Sequence, residues 1–390
     1  MQRRNILVVG AGPVGTVAAL ACAQFGHRVT LLEAQDRVDD SPRASTTQPP
    51  TLEILAELGL IDEYIAQGLV SRTFQFWDRP TLRLLAEFDF ERLRGVTPYP
   101  YVVQTEQHKL ALMGIERLRK MPNAKVIMGT RVTAVSQDAD SVTVRADNGE
   151  WRPDYVIGCD GGRSTLRKCL DIEFEGFTWP ERFLVITTRF DFAAALGCCL
   201  RNYMADPEEW TNLFKVAGDD LRGRWRAVFN TRPDESDEEA LSDASVRSRL
   251  SRIYVPEQER HYLHLNLYNV HQRVAKQFRK GRAFLCGDAA HVNNPIGGLG
   301  LNSGIHEAWD LANLLSEEGA DLDAYDRRRR PLNIEYVQEQ TIANKKRLEE
   351  REPAQREKRF DELRRMADDP QKHKAFLMRA SLLETARRVQ

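Results

Sequence analysis

Ile6-Leu7-Val8-Val9-Gly10-Ala11-Gly12-Pro13-Val14-Gly15 is the stretch on which the folding of this chain turns. Four apolar residues in a row make a buried strand, and the glycines after them carry the backbone through a tight turn into a helix. Gly10 permits the turn, Gly12 allows close approach to the backbone, and Gly15 lets helix pack on strand. The helix is expected over Thr16 to Phe25, stopping near Gly26. A second strand, Arg28 to Leu32, delivers Glu33 about twenty residues past the turn. A carboxylate there accepts hydrogen bonds from a ribose diol while the helix N-terminus receives a pyrophosphate, so the stretch predicts a bound dinucleotide, with NAD the first guess. A glycine triplet alone is a weak signal; strand, helix, second strand and acid in this order make a strong one.

Residues 6 to 25 carry no charge and follow Arg3-Arg4, a composition shared with signal peptides and membrane anchors. Three glycines and Pro13 within the run, and a strand ending in an acid directly after it, favour the folded reading. At 390 residues the chain is long for one domain and is expected to hold two interleaved ones. Its 42% hydrophobic and 29% charged residues suit a soluble globular protein. A formal net charge of -1 gives no electrostatic case for nucleic acid or for an anionic membrane surface. The six cysteines, Cys22, Cys159, Cys169, Cys198, Cys199 and Cys286, form no CxxC pair and have no histidine at zinc-ligand spacing. Buried thiols in a reducing cytoplasm are therefore expected, with Cys198 and Cys199 on a strand, one facing inward and one outward.

Further along, helical periodicity over Thr51 to Gln67 gives way to strands at Thr73 to Trp77 and Leu82 to Phe88. A helix over Gln107 to Lys120 follows Tyr101-Val-Val-Gln104-Thr-Glu106, then strands at Lys125 to Met128, Arg131 to Gln137 and Ser141 to Arg145, with a hairpin signal at Asp147-Asn-Gly149. Tyr155 to Cys159 repeats the short apolar strand and ends in Asp160-Gly161-Gly162-Arg163-Ser164. From Phe174 to Val270 short strands succeed one another almost without helices, which predicts an antiparallel sheet in a separate layer, able to roof a pocket. After Gly304 the chain reads as helical, and its charge-balanced end, residues 344–390, is expected to be a solvated helix pair packed on the body.

A second glycine-rich segment lies far downstream, where the strand Arg282 to Cys286 ends in Gly287-Asp288-Ala-Ala-His291 and a helix begins near Asn302. An aspartate at a strand end, then loop, then helix, is again an arrangement for ribose-like hydroxyls and phosphate-like anions. With this segment on the page, the chain resembles the class A flavoprotein monooxygenases typified by para-hydroxybenzoate hydroxylase. The resemblance covers nearly the whole chain and rests on three motifs in order: GAGPVG with Glu33, Cys159 to Arg167, and Gly287 to Gly304. It implies FAD as the cofactor, NADH or NADPH as a transient electron donor with no nucleotide motif of its own, and a small aromatic substrate plus O₂. It further implies a Rossmann-like FAD domain of the glutathione reductase type, interleaved with a mixed or antiparallel sheet domain and a helical tail. The FAD domain is assigned residues 1–72, 101–173 and 276–343, the substrate domain 73–100 and 174–275, and the tail 344–390.

Carried over position by position, the resemblance implies cofactor contacts at Gly10, Gly12, Pro13, Val14 and Gly15, at Glu33 with Ala34 after it, and at Arg43 and Gln104. The later motifs add Asp160, Gly161 and Arg163, then Gly287, Asp288, Pro295, Gly298, Gly300, Leu301 and Asn302, where Asp288 would accept from a ribityl hydroxyl and the last two would present backbone amides to the flavin pyrimidine. Two positions depart from the family pattern: Asn294 stands where a proline pair is common, and Glu307 where an aspartate is. The chain resembles the short members of the family, without the thioredoxin-like domain of the phenol hydroxylase branch. The implied chemistry is capture of O₂ as a flavin C(4a)-hydroperoxide and attack on it by an electron-rich ring, with the protein excluding water and favouring a phenolate.

For the substrate side, Arg224 and Arg226 alternate with apolar residues on one strand and are candidates to clamp a carboxylate; Tyr203 is a candidate to relay a proton from a phenol. Pro295 completes the catalytic candidates, and Phe74, Phe76 and Trp77 are candidate apolar walls. His291 is expected to bind or pack rather than act as a base. A flavin oxidase or dehydrogenase on the same fold, or a nucleotide-binding regulator of the kind seen in GDP-dissociation inhibitors, are the alternatives; the intact Gly287 to Gly304 segment speaks against the regulator. Monomer and homodimer both remain open.

Overall fold

The computed structural model describes residues 3–389 apart from Pro42, the proline ahead of Arg43, and Ala139. Among the described residues a six-stranded sheet runs in the order Ala124–Ile127, Arg28–Leu32, Asn5–Val9, Tyr155–Gly158, Ala283–Leu285, Arg279–Lys280. All neighbours are parallel except the last pair, which is a hairpin. The centre is apolar throughout: Ile6, Leu7 and Val8 are buried, as are Val156, Ile157 and Phe284 on the strands beside them. The Pro13–Gln24 helix follows the first strand, with Pro13 in its first turn, where a missing N–H costs nothing.

A second sheet has eight strands. Its order is His291–Val292, His264–Ala275, Phe174–Thr188, Arg224–Asn230, Thr211–Val216, Arg201–Ala205, Thr73–Asp78, Arg83–Asp89. The expectation of an antiparallel layer holds for every neighbouring pair but one: Arg201–Ala205 runs parallel to Thr73–Asp78, because the chain crosses the molecule between them. The two faces of this sheet bury separate clusters. Phe74, Phe76, Ala205 and Val228 face one core, and Trp77, Met204, Leu213 and Trp225 face the other.

Two expectations change. The tail is not a solvated pair: Pro353–Asp368, Pro370–Ala380 and Leu383–Val389 are three helices, and Phe360, Leu363, Leu377 and Leu383 are buried in the same cluster as Phe74 and Phe76. Few apolar residues per turn hid this, although the large ones Phe360, Leu363, Leu377 and Leu383 land inward. Cys198 and Cys199 precede the Arg201–Ala205 strand instead of alternating on it; the first is packed with Trp77 and Met204, and the second donates to the carbonyls of Thr73 and Arg201. All six cysteines are free thiols; Cys22, Cys198 and Cys286 are buried as expected, Cys159 and Cys199 are half-buried, and Cys169 is exposed, against the expectation. No described helix is long and apolar enough to cross a membrane.

Candidate active site

Because Asn5–Val9 has a parallel neighbour on each side, the carboxyl ends of Asn5–Val9 and Tyr155–Gly158 flank the point where an open α/β sheet forms its crevice. The motif glycines are held there by contact. A Cβ on Gly10 would lie 2.4 Å from the carbonyl oxygen of Cys159, and one on Gly15 would lie 1.9 Å from that of Gly10. Gly12 is the opposite case: a Cβ there would meet no protein atom within 4 Å. No side chain caps the Pro13–Gln24 helix and no acid occupies its first turn, so its amides and the positive end of its dipole are open to an anion.

Beside this turn Glu33 is locked in place. Its Oε2 accepts from the amide of Ala11 at 2.7 Å and its Oε1 from that of Gln35 at 3.0 Å, with half-buried Ala34 between. Across the crevice Asp160 accepts through Oδ2 from the amides of Thr165, 2.7 Å, and Leu166, 3.1 Å, while its Oδ1 is buried without a partner. Burial holds this carboxyl above its usual range, against those hydrogen bonds. Arg167 then ties two motifs together, Nη1 donating to the carbonyl of Ala289 at 2.8 Å and Nη2 to that of Gly162 at 2.7 Å, with its guanidinium 3.7 Å from the centre of the Phe174 ring. Gly161 is half-buried and Arg163 exposed.

The second glycine segment packs directly on the first. A Cβ on Gly287 would lie 3.0 Å from Cγ2 of Val14, and one on Gly304 would lie 2.8 Å from the same methyl. Asp288 is accessible from the crevice; its walls strip enough water to raise the carboxyl's pKa, opposed by neighbouring His291 and by the charge of Arg43. Behind it, wholly buried Glu307 accepts from the amide of Gly287, from His291 Nε2 and from Ser303 Oγ. His291 is thus a packed structural donor. The loop that follows is pinned on both sides. Asn294 donates through its amide and Nδ2 to Gln272 Oε1, and Asn344 Nδ2 donates to the carbonyl of Ile296, leaving Pro295 exposed between them.

Gly300, Leu301 and Asn302 open the Gly300–Ser316 helix, again with no side-chain cap and no acid in the first turn. The Asn302 side chain is fully engaged, accepting from the amide of Gln48 and Thr51 Oγ1 and donating to the carbonyls of Thr46 and Gly298, so only its backbone is free for a ligand. Gln104 accepts from Thr46 Oγ1 through Oε1, and its Nε2 is buried without a partner. Two uncapped helix N-termini, an unpartnered acceptor on Asp160 and an unpartnered donor on Gln104 suit a long ligand with a diphosphate, several hydroxyls and a carbonyl-bearing ring, which is the composition of FAD. Thr46, Gln48 and Thr51 were not singled out in the sequence, since nothing in their type announces that they clamp Asn302.

Beyond the loop lies an aromatic cavity of about 30 Å³. Ile296 and Gly297 of the loop border it, with Gln48, the sheet residues Phe74, Phe76, Arg201 and Tyr203, and Phe90. Asn344, Leu348, Phe376 and Ala380 close it from the C-terminal helices. The Tyr203 ring stacks on Phe76 with centroids 5.2 Å apart, and its oxygen accepts from Arg201 Nη2 at 3.1 Å.

Several candidates stand elsewhere. Trp77, one residue out of phase with Phe76, points through the opposite face of the sheet, where its Nε1 donates to Gln75 and Asn202. Arg226 is buried, but its Nη1 donates to the carbonyl of Arg43 at 2.9 Å, and neither it nor Arg224 lines the cavity. The Arg43 guanidinium is exposed and paired with Asp39 at 2.8 Å. The cationic member of the cavity is Arg201, which the sequence reading passed over. Its signal was available: it sits two residues before Tyr203 and so shares its face of the strand. Among the described residues no cluster of three or more histidine, cysteine or acidic side chains is placed to hold a metal ion.

Residues 3–340 match the family described as FAD binding domain. Para-nitrophenol 4-monooxygenase of Pseudomonas sp. (strain WBC-3) is 34% identical over 370 residues, 90% of this chain and 89% of that protein. 6-Hydroxy-3-succinoylpyridine 3-monooxygenase HspB of Pseudomonas putida (strain DSM 28022 / S16) is 32% identical, covering 91% of each. The crystal structure of p-nitrophenol 4-monooxygenase PnpA from Pseudomonas putida DLL-E4 superposes with a TM-score of 0.88 at 33% identity, covering 98% of each chain.

Proposed function

The chain belongs to the FAD-binding family of aromatic monooxygenases, and from that premise we propose that it oxygenates a small single-ring phenol held in the cavity above the Asn294–Gly298 loop. The carrying observation is the cavity itself, which joins loop residues Ile296 and Gly297 to an aromatic wall and to the polar pair Arg201 and Tyr203.

FAD, reduced by NADH or NADPH, supplies the oxygen transfer when bound. We assign its adenosine end to Glu33 and the Pro13–Gln24 helix N-terminus, its central hydroxyls to Asp160, Asp288 and Gln104, and its ring to the loop and the Gly300–Ser316 helix N-terminus. The protein's own work is placement and exclusion. Phe74, Phe76 and Phe90 hold a flat ring in a dry pocket, where a charge interaction is stronger than in water. Tyr203 accepts from Arg201, so its own proton is free to be donated into the cavity or passed on. Nitrophenol and hydroxypyridine oxidation by the two relatives supports a monocyclic, acidic hydroxyl-bearing substrate.

The test is purification with bound FAD, then NAD(P)H consumption over a panel of phenols and hydroxypyridines under labelled O₂. Labelled oxygen in an aromatic product is expected. Full recovery of the electrons as hydrogen peroxide with every ring would point instead to an oxidase.

A further inference from the structure

Buried arginines in this protein are met in different ways. Arg79 pairs with Asp206 at 2.6 Å and Arg249 with Glu235 at 2.8 Å, while Arg167 and Arg226 donate to backbone carbonyls. Among the buried arginines of the described residues, Arg201 is the one that borders the aromatic cavity. It is 5% exposed, Nη2 donates to Tyr203, and Nη1 is buried with no partner. Its guanidinium lies 5.3 Å from the centre of the Phe74 ring, and no carboxylate is within ion-pair distance of it among the described residues.

A buried guanidinium is costly while its N–H groups and charge go unmet, and a ligand entering this cavity can bring both an acceptor and a counter-charge to Arg201. The rest of the wall cannot bring it: Phe74, Phe76, Phe90, Ile296, Leu348 and Phe376 are apolar. Arg201 Nη1 and the Tyr203 hydroxyl are two neighbouring donors, and two donors side by side suit one oxygen with several lone pairs or a group with two oxygens. We infer that Arg201 is the anion-recognition residue of the substrate site, so that the ring is bound as an aromatic oxyanion, its negative oxygen on Arg201 and Tyr203. This rests on the reading of the cavity as a site for a phenolic ring. The anionic oxygen has two chemical sources, an ionised phenol or a ring carboxylate, and the experiment separates them.

The full-length, FAD-loaded protein is titrated without NAD(P)H, following the change that a bound ring makes in flavin absorbance. The probes are 4-nitrophenol, 4-hydroxybenzoate and 4-hydroxybenzamide, with wild type, Arg201→Met and Arg201→Lys compared at equal FAD content. If the phenolate is the anion, the apparent Kd of 4-nitrophenol in the wild type rises about tenfold for each pH unit below the phenol's own pKa, with no preference for benzoate over benzamide. If a carboxylate is the anion, benzoate binds more tightly than benzamide by roughly 10- to 100-fold, the worth of a hydrogen bond to a charged group. Either result, abolished in Arg201→Met and partly kept in Arg201→Lys, supports the assignment. A merely structural arginine would weaken all probes alike and leave both dependences in place. Equal binding of anionic and neutral rings by a protein that still turns them over overturns the Arg201 assignment alone. A flavin spectrum that no ring perturbs overturns the phenolic reading of the cavity as well.

Discussion

Nε2 of His291 lies 2.8 Å from Oε1 of Glu307, and neither side chain touches solvent. The same carboxylate accepts from Gly287 N at 2.8 Å and from Ser303 Oγ at 3.0 Å, so the residue that departs from the family's usual aspartate is the one that joins the Gly287 turn to the following helix. Glu307→Gln keeps the shape but turns one acceptor into a donor facing a donor. It is expected to cost about 1–3 kcal/mol in urea unfolding and to weaken FAD retention, since the Gly287 turn carries Asp288. Unchanged stability with unchanged flavin affinity would show that the bridge is dispensable.

The motif glycines separate folding from binding. Gly12 has φ −66° and ψ 177°, values open to any residue, and a side chain there meets no protein atom within 4 Å. Gly12→Val is therefore expected to fold with wild-type stability and to lose flavin, because the methyls occupy the space in front of the helix N-terminus. Gly15→Ala drives a Cβ to 1.9 Å from the Gly10 carbonyl and is expected to yield little folded protein. Circular dichroism and flavin fluorescence on the two variants give opposite patterns; tight FAD binding by Gly12→Val would remove the diphosphate from this turn.

Those two glycines also show what was legible in advance. Gly12 and Gly15 act through backbone shape, which a short motif encodes locally, and Arg28–Leu32 lies where its apolar pattern placed it. The aromatic cavity is assembled from residues about 300 positions apart, Phe74 with Phe376, and no local pattern encodes that meeting. Arg226 misled because alternation says which face of a strand a residue takes, not what covers that face; here the cover is the Arg43 carbonyl. Arg201, on the strand that already held Tyr203, obeyed the same alternation and met the cavity.

His306 makes the fold acid-sensitive. Its Nε2 lies 3.0 Å from Thr51 Oγ1, which itself donates to Asn302, so the ring donates from Nε2 and stays neutral. Burial, then the nearby Arg329 charge, lowers its pKa from 6.5 to about 3. The depressed value means the unfolded chain binds the proton first, so stability present above pH 6.5 is lost as pH falls toward 3. From this residue alone the expected loss is about 1.4 kcal/mol per pH unit, or roughly 2 kcal/mol between pH 6.5 and 5. His306→Gln, which can still donate to Thr51, should flatten the dependence of urea midpoint on pH over that interval; an equally steep dependence would assign it to other groups.

Phe376 sets the width of the aromatic cavity. Its ring centroid is 4.4 Å from that of Phe88 and 6.2 Å from that of Phe74, and it reaches the cavity from the Pro370–Ala380 helix. At about 30 Å³ the cavity has room for one water, whereas an apolar cavity that holds benzene measures about 150 Å³. A ring can enter only if this wall shifts, and a half-buried side chain on an outer helix is the cheapest part of it to move. Phe376→Ala is accordingly expected to destabilise the protein by about 2 kcal/mol, less than a fully buried Phe→Ala change, and to relax selection by size. The measurement is kcat/KM for an unsubstituted phenol against one with a bulky alkyl group. Each methylene that a pocket refuses is worth about 10-fold or more, so the ratio should move at least tenfold toward the bulky ring. An unaltered ratio would mean that the ring lies away from the C-terminal helices, against the loop and the Tyr203 face alone.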